Sequence, residues 1–275
     1  MSEYWMEEKH TDGYRVSWKI TNILHEEKTP FQELAVVETT EWGKALILDN
    51  AVQITEKDEF IYHEMIVHPV MYIHPNPEKV LIIGGGDGGT LREVLKHKRV
   101  KKADMVEIDG KVVEASKRFF PEVSCSFDDP RANLFIEDGI KYVKETKEKY
   151  DIIIVDSSDP VGPAVELFGI DFYRDAYRIL NEDGIIVVQS ESPIFFKETF
   201  LKVQSYLKQV FPMVYVYWAV CPTYVSGPWT FTMASKKYVP DKFPGDKELV
   251  DGLKYYNEGI HTAAFNLPRF IREML

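Results

Sequence analysis

Lys79-Val-Leu-Ile-Ile-Gly-Gly-Gly-Asp-Gly-Gly89 is the stretch of this 275-residue chain that decides its fold. A short apolar run ends in a glycine-rich turn, which is typical of the first strand-to-helix connection in a nucleotide-binding α/β sheet. Glycines let the backbone turn sharply and approach a ligand closely. Asp87 stands inside this turn, where its carboxylate would repel an anionic ligand and attract a cation. The stretch therefore predicts a nucleoside site whose ligand carries positive charge next to the sugar.

Downstream of this turn, short β-branched runs alternate with helical patterns. We predict strands at 80–83, 104–108, 133–136, 151–155 and 185–189, and helices at 90–97, 111–119, 140–147 and 173–180. Continuous apolar strands separated by helices imply a doubly wound α/β fold, with a parallel sheet covered on both faces. Two later runs, 214–220 and 229–234, flank a proline- and glycine-rich loop and predict an antiparallel edge pair. We expect residues 240–275 to form a helical tail.

The first 57 residues have a different pattern and predict a small antiparallel β domain, followed by an α/β domain over 58–275. Residues 14–20, 34–40 and 45–48 alternate apolar and polar side chains with the period of half-buried strands. Residues 58–72 carry helical spacing, with Asp58 as the N-cap and Pro69 bending or ending the helix.

Composition narrows the possible classes of protein. The chain has 33 basic and 44 acidic residues, a net charge of −11, which argues against nucleic acid or an anionic membrane as the main partner. Cys125 and Cys221 lie in no CxxC pattern, and His63 and His68 form no metal-binding pair, so no metal site or disulfide is indicated. The N-terminus lacks the pattern of a signal peptide and no apolar run is long enough to span a bilayer, so we expect a cytoplasmic protein.

Acidic side chains follow every predicted parallel strand, at the edge where a doubly wound sheet binds its ligand. They are Asp87, Glu107, Asp109, Glu137, Asp138, Asp156, Asp159 and Glu191. Aspartate is also a common turn residue, and we expect Asp109 and Glu137 to be solvated neighbours of the acids that act. No phosphate-loop lysine, nucleophile elbow or cysteine–histidine pair is present. The chemistry must therefore come from carboxylates, tyrosines and the ligand itself.

Several of these motifs together resemble the spermidine synthases, the putrescine aminopropyltransferases. They are GGGDGG at 84–89, VEID at 106–109, EDG at 137–139, DSSDPVGP at 156–163, PTY at 222–224 and the segment 255–264. The resemblance covers essentially the whole chain and implies a methyltransferase-type Rossmann fold for the catalytic domain. It implies transfer of an aminopropyl group from decarboxylated S-adenosylmethionine to putrescine, giving spermidine and methylthioadenosine. The donor would be a co-substrate, with no cofactor and no metal, and the protein would be a homodimer or homotetramer.

Carried to this sequence, the resemblance implies a role for each matching residue. Asp156 would accept the proton of the attacking amine. The amine-binding residues would be Tyr62, His63, Asp87, Asp159, Tyr224 and Gln53. The nucleoside-binding residues would be Gln32, Gly84, Gly86, Glu107, Asp138, Gly139 and Pro163. Residues 157–169 would form a lid that includes Ser157, Ser158, Pro160 and Gly162, although a plain strand-to-helix connection is the alternative. His63 departs from family members that carry glutamine there, and helical pattern alone favours packing roles for Tyr62 and His63.

The proposed reaction suits carboxylates, because the donor's sulfonium needs no acid to leave. An alkyl amine with a pKa of roughly 10.4 is neutral in only about one part in 2,500 at pH 7. We therefore expect the sulfonium and a dry site to lower the pKa of the amine, and burial to raise that of Asp156. Two alternatives stay open: a methyltransferase that uses intact S-adenosylmethionine, and a catalytically idle nucleoside-binding module. Asp87 argues against the first, since it would repel the carboxylate of the intact donor.

Overall fold

The computed structural model describes residues 4–158, 166–225, 227–240, 243–244 and 247–275. The described residues contain two sheets, one antiparallel with five strands and one mostly parallel with seven. None of the described helices is long and apolar enough to cross a membrane.

The N-terminal sheet is an antiparallel meander whose strands lie in chain order. It consists of β1 (Tyr4–Thr11), β2 (Tyr14–Lys28), β3 (Glu33–Thr39), β4 (Lys44–Leu48) and β5 (Ala51–Thr55). The alternating pattern predicted the middle three strands and missed β1 and β5. A signal for β5 exists in Asp49 and Asn50, whose φ angles of 47° and 63° form the two-residue turn that suits a hairpin.

The larger sheet carries the parallel strands that the sequence predicts. Its strands are β6 (Lys79–Gly84), β7 (Lys102–Glu107), β8 (Ala132–Ile136), β9 (Tyr150–Asp156), β10 (Leu180–Gln189), β11 (Met213–Val220) and β12 (Pro228–Ser235). They lie in the order β11-β12-β10-β9-β6-β7-β8, with β12 antiparallel to both neighbours. The predicted edge pair is therefore confirmed. Strands are added on one side of β6 up to β8 and then on its other side from β9, so the topological switch point lies between β6 and β9.

Helices cover both faces of this sheet. They are α1 (Glu59–Ile73), α2 (Gly89–Lys96), α3 (Gly110–Phe119), α4 (Gly139–Glu145), α5 (Ile170–Ile179), α6 (Lys197–Val210), α7 (Glu258–Ala264) and α8 (Arg269–Arg272). Ile152 and Ile154 of β9 pack with α1 and α2, whereas Ile153 packs with α5 and α6 on the opposite face. Burial on both faces explains why the strands are continuous apolar runs. The N-terminal sheet packs against α3.

α1 continues through Pro69 to Ile73, close to the predicted range of 58–72, so of the two effects expected of Pro69 it does not end the helix. A proline removes one backbone donor, which leaves the carbonyl of Met65 without its helical partner. The hydroxyl of Tyr217 donates to that carbonyl at 2.9 Å. Asp58 precedes the helix, but its side chain does not cap it and accepts from the hydroxyls of Thr55 and Thr223 at 2.6 and 2.7 Å.

The predicted helical tail is largely wrong. Within the described part of 240–275 only α7 and α8 are helical, and the stretch before them docks on α1 without regular structure. The buried carboxylate of Glu64 accepts from the backbone N–H groups of Lys254, Tyr255 and Tyr256 at 2.8, 2.9 and 2.7 Å. This docking replaces the hydrogen bonds that a helix would have made.

Candidate active site

A cavity of about 780 Å³ lies at the carboxyl ends of β6 and β9, which is the switch point of the sheet. All the described residues that the sequence assigns to the site line it. They are Gln32, Gln53, Tyr62, His63, Gly84, Gly86, Asp87, Glu107, Asp138, Gly139, Asp156, Ser157, Ser158 and Tyr224. Asp159, Pro160, Gly162 and Pro163 lie outside the described residues.

The glycine turn is pressed against the end of β9. Gly84 and Gly85 have φ angles of +84° and +73°, which side chains rarely adopt. A Cβ at Gly84 would overlap the main-chain oxygen of Asp156. That same oxygen accepts from the N–H of Gly85 at 2.8 Å. The close approach brings Asp87 and Asp156 around one space, as the sequence predicts.

Asp156 is held at the end of β9 by two hydroxyl groups. Tyr62 Oη donates to Oδ1 at 2.7 Å, and Thr90 Oγ1 donates to Oδ2 at 2.6 Å. The residue is 9% exposed. Burial and the charge of Asp87 raise its pKa, and they outweigh His63 and the two hydrogen bonds, which lower it. The direction agrees with the expectation from sequence, and a raised pKa makes this carboxylate a better proton acceptor.

His63 lies between two carboxylates. Its Nδ1 is 2.6 Å from Glu59 Oε2, and its Nε2 is 3.2 Å from Asp87 Oδ1. The second contact has the distance of an ion pair but falls outside hydrogen-bond geometry. Burial lowers the pKa of the imidazole, but Asp87 and Glu59 outweigh it and raise the pKa to about 10. His63 is therefore a cation at neutral pH.

The side of the cavity formed by β7 and α4 carries Glu107 and Asp138. Glu107 accepts from the N–H of Asp109 at 2.9 Å. Burial, together with the charges of Asp109, Asp156 and Asp87, raises the pKa of Glu107 to about 7. Asp138 is exposed and caps α4, accepting from the N–H of Ile140 at 2.8 Å.

Asp109 is not the solvated neighbour that the sequence suggested, because it is 1% exposed. It caps α3 by accepting from the N–H of Lys111 at 3.0 Å. Its other oxygen accepts from Thr29 Oγ1 at 2.7 Å and Gln32 Nε2 at 2.9 Å. Asp109 thus ties the loop between β2 and β3 to the larger sheet and places Gln32 at the cavity. Glu137 is exposed, as expected.

Aromatic rings form the wall opposite the glycine turn. The rings of Tyr62 and Tyr224 are 5.5 Å apart, and those of Tyr224 and Trp229 are 4.8 Å apart. Tyr224 Oη donates to the carbonyl of Gln53 at 2.8 Å. The helical pattern alone favoured packing for Tyr62 and His63, yet both line the cavity although they are only 6% and 0% exposed. Apolar spacing cannot distinguish a core from the wall of a buried cavity.

Sequence reasoning missed Glu8, which also lines the cavity. This carboxylate is buried on β1, where it accepts from Trp18 Nε1 at 3.0 Å and from the N–H of Val52 at 3.2 Å. The only signal was an acid in a segment with no strand pattern. Thr90 was also missed, although a hydroxyl directly after the glycine turn is a recognisable feature.

One ring nitrogen of His63 and one carboxylate oxygen from each of Asp87 and Asp156 lie within 4.8 Å of one another. This cluster, with Glu107 beside it, makes the cavity anionic on balance. Its chemistry suits a ligand that combines a sugar with a positive charge.

Comparison with known proteins agrees with this geometry. Residues 59–242 match the spermine/spermidine synthase domain, and residues 4–56 match the spermidine synthase tetramerisation domain. The polyamine aminopropyltransferase of Bacillus subtilis (strain 168) is 48% identical over 275 residues, covering 100% of each chain. That of Desulforudis audaxviator is 47% identical and covers 98% of each chain.

Two solved structures are similar over nearly the whole chain. The spermidine synthase from Thermotoga maritima has a TM-score of 0.93 at 41% identity and covers 99% of this chain and 94% of its own. A spermidine synthase in complex with the transition-state analogue AdoDATO has a TM-score of 0.92 at 42% identity, with the same coverage.

The fold and the cavity define a methyltransferase-like Rossmann enzyme with an acid-lined site at its switch point, preceded by a small β domain. The chain belongs to the spermine/spermidine synthase family, and it is an aminopropyltransferase.

Proposed function

We propose that this enzyme is a spermidine synthase, which transfers the aminopropyl group of decarboxylated S-adenosylmethionine to putrescine. One observation supports the proposal above the others: Asp87 and Asp156 share a cavity with Glu107 at the switch point. The first two carboxylates suit cationic amines, and the third suits ribose hydroxyls. The relatives named polyamine aminopropyltransferase and the neighbour bound to a transition-state analogue agree with it.

The nucleoside of the donor would lie along the wall of β7 and α4. Glu107 would accept from the ribose hydroxyls, as acids at the end of the second strand commonly do. Gln32, Asp138 and Gly139 would contact the remainder of the nucleoside, with Gly84 and Gly86 allowing close approach. The donor's free ammonium would then face Asp87, where the carboxylate of intact S-adenosylmethionine would be repelled.

Asp156 would receive the proton of the attacking amine. Displacement forms a bond from the amine nitrogen to the carbon next to sulfur and breaks the carbon–sulfur bond, whose electrons stay on sulfur. The sulfonium thereby becomes the neutral thioether of methylthioadenosine. The nitrogen must lose one proton, and its acceptor needs a pKa above that of an ordinary carboxylate. The raised pKa of Asp156 supports this assignment.

The second ammonium of a diamine needs a partner as well. Glu8 is a buried carboxylate that lines another wall of the same cavity. The cavity is also lined by Gln53, Tyr62 and Tyr224, whose side chains offer both polar groups and apolar rings. We infer that Glu8 receives the end of putrescine that does not react. Longer or shorter acceptors would then place their second charge away from this carboxylate.

The family resemblance alone supports three further proposals. They are amine binding by Asp159, nucleoside contact by Pro163 and a lid formed by residues 157–169. A lid would exclude water while the amine is neutral. Hydrogen exchange of the amides in 157–169 tests it: we expect protection when methylthioadenosine and putrescine are added together. Unchanged exchange would favour a plain connecting loop.

Product analysis tests the proposed function directly. The protein is incubated with putrescine and either decarboxylated or intact S-adenosylmethionine, and the products are identified by mass spectrometry. We expect methylthioadenosine and spermidine from the decarboxylated donor alone. A methylated amine from the intact donor would indicate the methyltransferase, and no product from either donor would indicate a nucleoside-binding module.

No metal or cofactor is part of the proposal. A metal at this cluster would have to displace a proton from His63, which lies between Glu59 and Asp87 and has a pKa raised to about 10 by them. We therefore propose that the cluster binds the ammonium groups of substrates. Activity should be unchanged after dialysis against a strong chelator, and its loss with restoration by a divalent cation would contradict this.

A further inference from the structure

We propose that Glu59, held by Arg92, is a positioning residue for this reaction, which keeps His63 a cation whose Nε2–H faces Asp87. The inference rests on the proposed function for its kinetic effect. Its structural part concerns the protonation of His63 and can be tested without any substrate.

Glu59 is placed to act on one side of the imidazole. Residues 59 and 63 are four apart on α1, so their side chains share one face of the helix. Glu59 Oε2 lies 2.6 Å from His63 Nδ1, and its side chain is 5% exposed. A carboxylate at this position accepts the Nδ1 proton, so the other ring nitrogen must carry a second proton if it is to donate towards the cavity.

Arg92 fixes the carboxylate of Glu59 from behind. Its guanidinium contacts both oxygens, with Nη1 3.1 Å from Oε1 and Nη2 2.8 Å from Oε2. Arg92 Nε is in turn 2.8 Å from Glu93 Oε1. This two-pronged contact leaves the Glu59 carboxylate one orientation, with Oε2 shared between Arg92 and His63.

The imidazole has no room to turn away. His63 is fully buried, and a Cβ on Gly89 would overlap its ring. The ring of Tyr62 lies against it edge-on at 5.6 Å. Nε2 therefore stays aimed at Asp87 and has no hydrogen-bond partner among the described residues. A neutral ring protonated at Nδ1 would present a lone pair to the Asp87 carboxylate, which is repulsive.

Charged and titratable groups surround His63 on every element packed against it. They are Glu59 and Tyr62 on α1, Asp87 in the glycine turn, Arg92 on α2 and Asp156 at the end of β9. Burial lowers the pKa of the imidazole, whereas Asp87 and Glu59 raise it to about 10. Burial also raises the pKa of Glu59, but His63 and Arg92 outweigh it and lower the pKa to about 2.

The charge of His63 matters because the attacking amine must be neutral. Asp87 and Asp156 both favour its protonated form. A positive His63 offsets one of these two charges and leaves the Asp87 carboxylate oriented towards the donor's ammonium. Glu59 contributes to both effects without touching a substrate.

Glu59→Gln tests the inference, because glutamine keeps the shape and loses the charge. By NMR of labelled histidine in protein without ligands, the pKa of His63 should fall by about 2 units from its value of about 10. At pH 7 most His63 is still protonated, so kcat/KM for the decarboxylated donor should stay within about threefold of wild type. At pH 9, where most His63 in the variant is neutral, it should fall about tenfold because the ion pair between His63 and Asp87 is lost.

Two further variants make the test specific. Glu56→Gln is the matched control, because Glu56 pairs with Lys44 at 2.7 Å on the surface and should change neither the pKa nor the pH profile. In a His63→Gln background the side chain donates to Asp87 at any pH, so adding Glu59→Gln should have no further pH-dependent effect. This loss of coupling shows that Glu59 acts through His63.

The outcomes separate the inference from the proposed function. An unchanged His63 pKa in Glu59→Gln, or an equal loss of activity at pH 7 and pH 9, overturns the inference and indicates a purely structural ion pair. If the pKa falls but wild type forms no spermidine, the proposed function fails and only the structural part of the inference survives.

Discussion

Carboxylates in one cavity acquire different chemistry from their surroundings. Asp156 is buried beside another acid, so its pKa is raised, and two hydroxyl groups fix its orientation. Asp87 is paired with a cationic His63 and accepts from the N–H of Gly89 at 2.6 Å, at the N-terminus of α2. The first environment suits a proton acceptor and the second suits the binding of an ammonium group, which matches the two roles that the proposed reaction requires.

The raised pKa of Glu107 predicts that nucleoside binding depends on pH. Its pKa is raised to about 7, so it is largely protonated below pH 7 and ionised above. Ribose hydroxyls donate to the ionised form, and binding therefore favours loss of the proton. The affinity for methylthioadenosine should rise about five- to tenfold between pH 5.5 and pH 8, with a proton released on binding near pH 6.5. Calorimetry in buffers of different ionisation enthalpy measures both quantities.

Glu107→Gln is the control for this pH dependence, because glutamine cannot ionise. Its affinity should be weaker and nearly constant over the same range. Two results would mean that Glu107 does not contact the ribose. One is a wild-type affinity for methylthioadenosine that falls as pH rises, and the other is the same pH dependence of affinity in Glu107→Gln.

Sequence motifs located residues that line the cavity, whereas residues that only tertiary packing brings there were missed. Asp87 and Asp156 follow apolar strands, so parallel topology brings them to one edge. Glu8 reaches the same cavity from β1, through a sheet whose position on α3 no local pattern specifies. Asp109 looked like a turn acid, but its burial depends on contacts with Thr29 and Gln32 that are remote in sequence.

At the scale of elements, the site depends on how closely β6 and β9 approach at their ends. Gly84 is paired with Asp156 in the parallel ladder, and the turn that follows has no room for side chains against β9. These glycines are therefore needed for the packing of the turn against β9, apart from any contact with a ligand. They set the distance between the turn that carries Asp87 and the strand that carries Asp156.

Gly84→Ala should lower the free energy of unfolding much more than an alanine at a glycine whose only special feature is a positive φ. Gly252 has a φ of +75° and would place a Cβ with nothing within 4 Å, so it is a matched control. Gly252→Ala should cost about 1–2 kcal/mol for the left-handed backbone. Gly84→Ala adds the overlap with Asp156 and should cost at least about 3 kcal/mol and abolish activity. Urea unfolding measures the difference, and equal costs would show that the close approach is unimportant.

The prediction of helices and strands was limited because side chains from distant parts of the chain supply hydrogen bonds that the local backbone lacks. The parallel strands and their helices follow from periodicity, and the observed bounds differ by a few residues. Pro69 should bend or end a helix on local grounds, but Tyr217 of β11 supplies the donor that proline removes and the helix continues. The segment before α7 lacks helix because Glu64 satisfies its backbone. Neither partner is identifiable from local sequence.

At the scale of the whole molecule, the N-terminal sheet has an open edge. β1 is its outer strand, and Tyr4 and Trp5 on it are 65% and 54% exposed. An exposed edge with aromatic side chains is a common site of association. The match of residues 4–56 to a tetramerisation domain agrees with this, and we propose a homodimer or homotetramer.

Sedimentation velocity tests the assembly. One chain has a mass of 31.9 kDa, and we expect a species of two or four times that mass at micromolar concentration. Trp5→Glu should shift the distribution towards smaller species if β1 takes part, whereas Lys28→Glu at an exposed position on β2 serves as a charge control. A single species at the mass of one chain would contradict the proposal.

The architecture as a whole was accessible from sequence only in part. Alternating strand and helix patterns predict a parallel sheet, and the family resemblance specifies the methyltransferase type. The order of strands, the packing of the small sheet on α3 and the size of the cavity arise from tertiary contacts. Acceptor preference belongs to this last group, because the cavity walls come from both sheets.

The role of Asp156 is tested most directly by single-turnover kinetics of wild type and Asp156→Asn with decarboxylated S-adenosylmethionine and putrescine, between pH 6 and pH 9. Methylthioadenosine formation is measured by rapid quench, and donor binding is measured separately. We expect the rate of Asp156→Asn to fall about 10²- to 10⁴-fold with donor affinity changed only a few fold, as for loss of a general base. A rate within about threefold of wild type at every pH would show that another group accepts the proton.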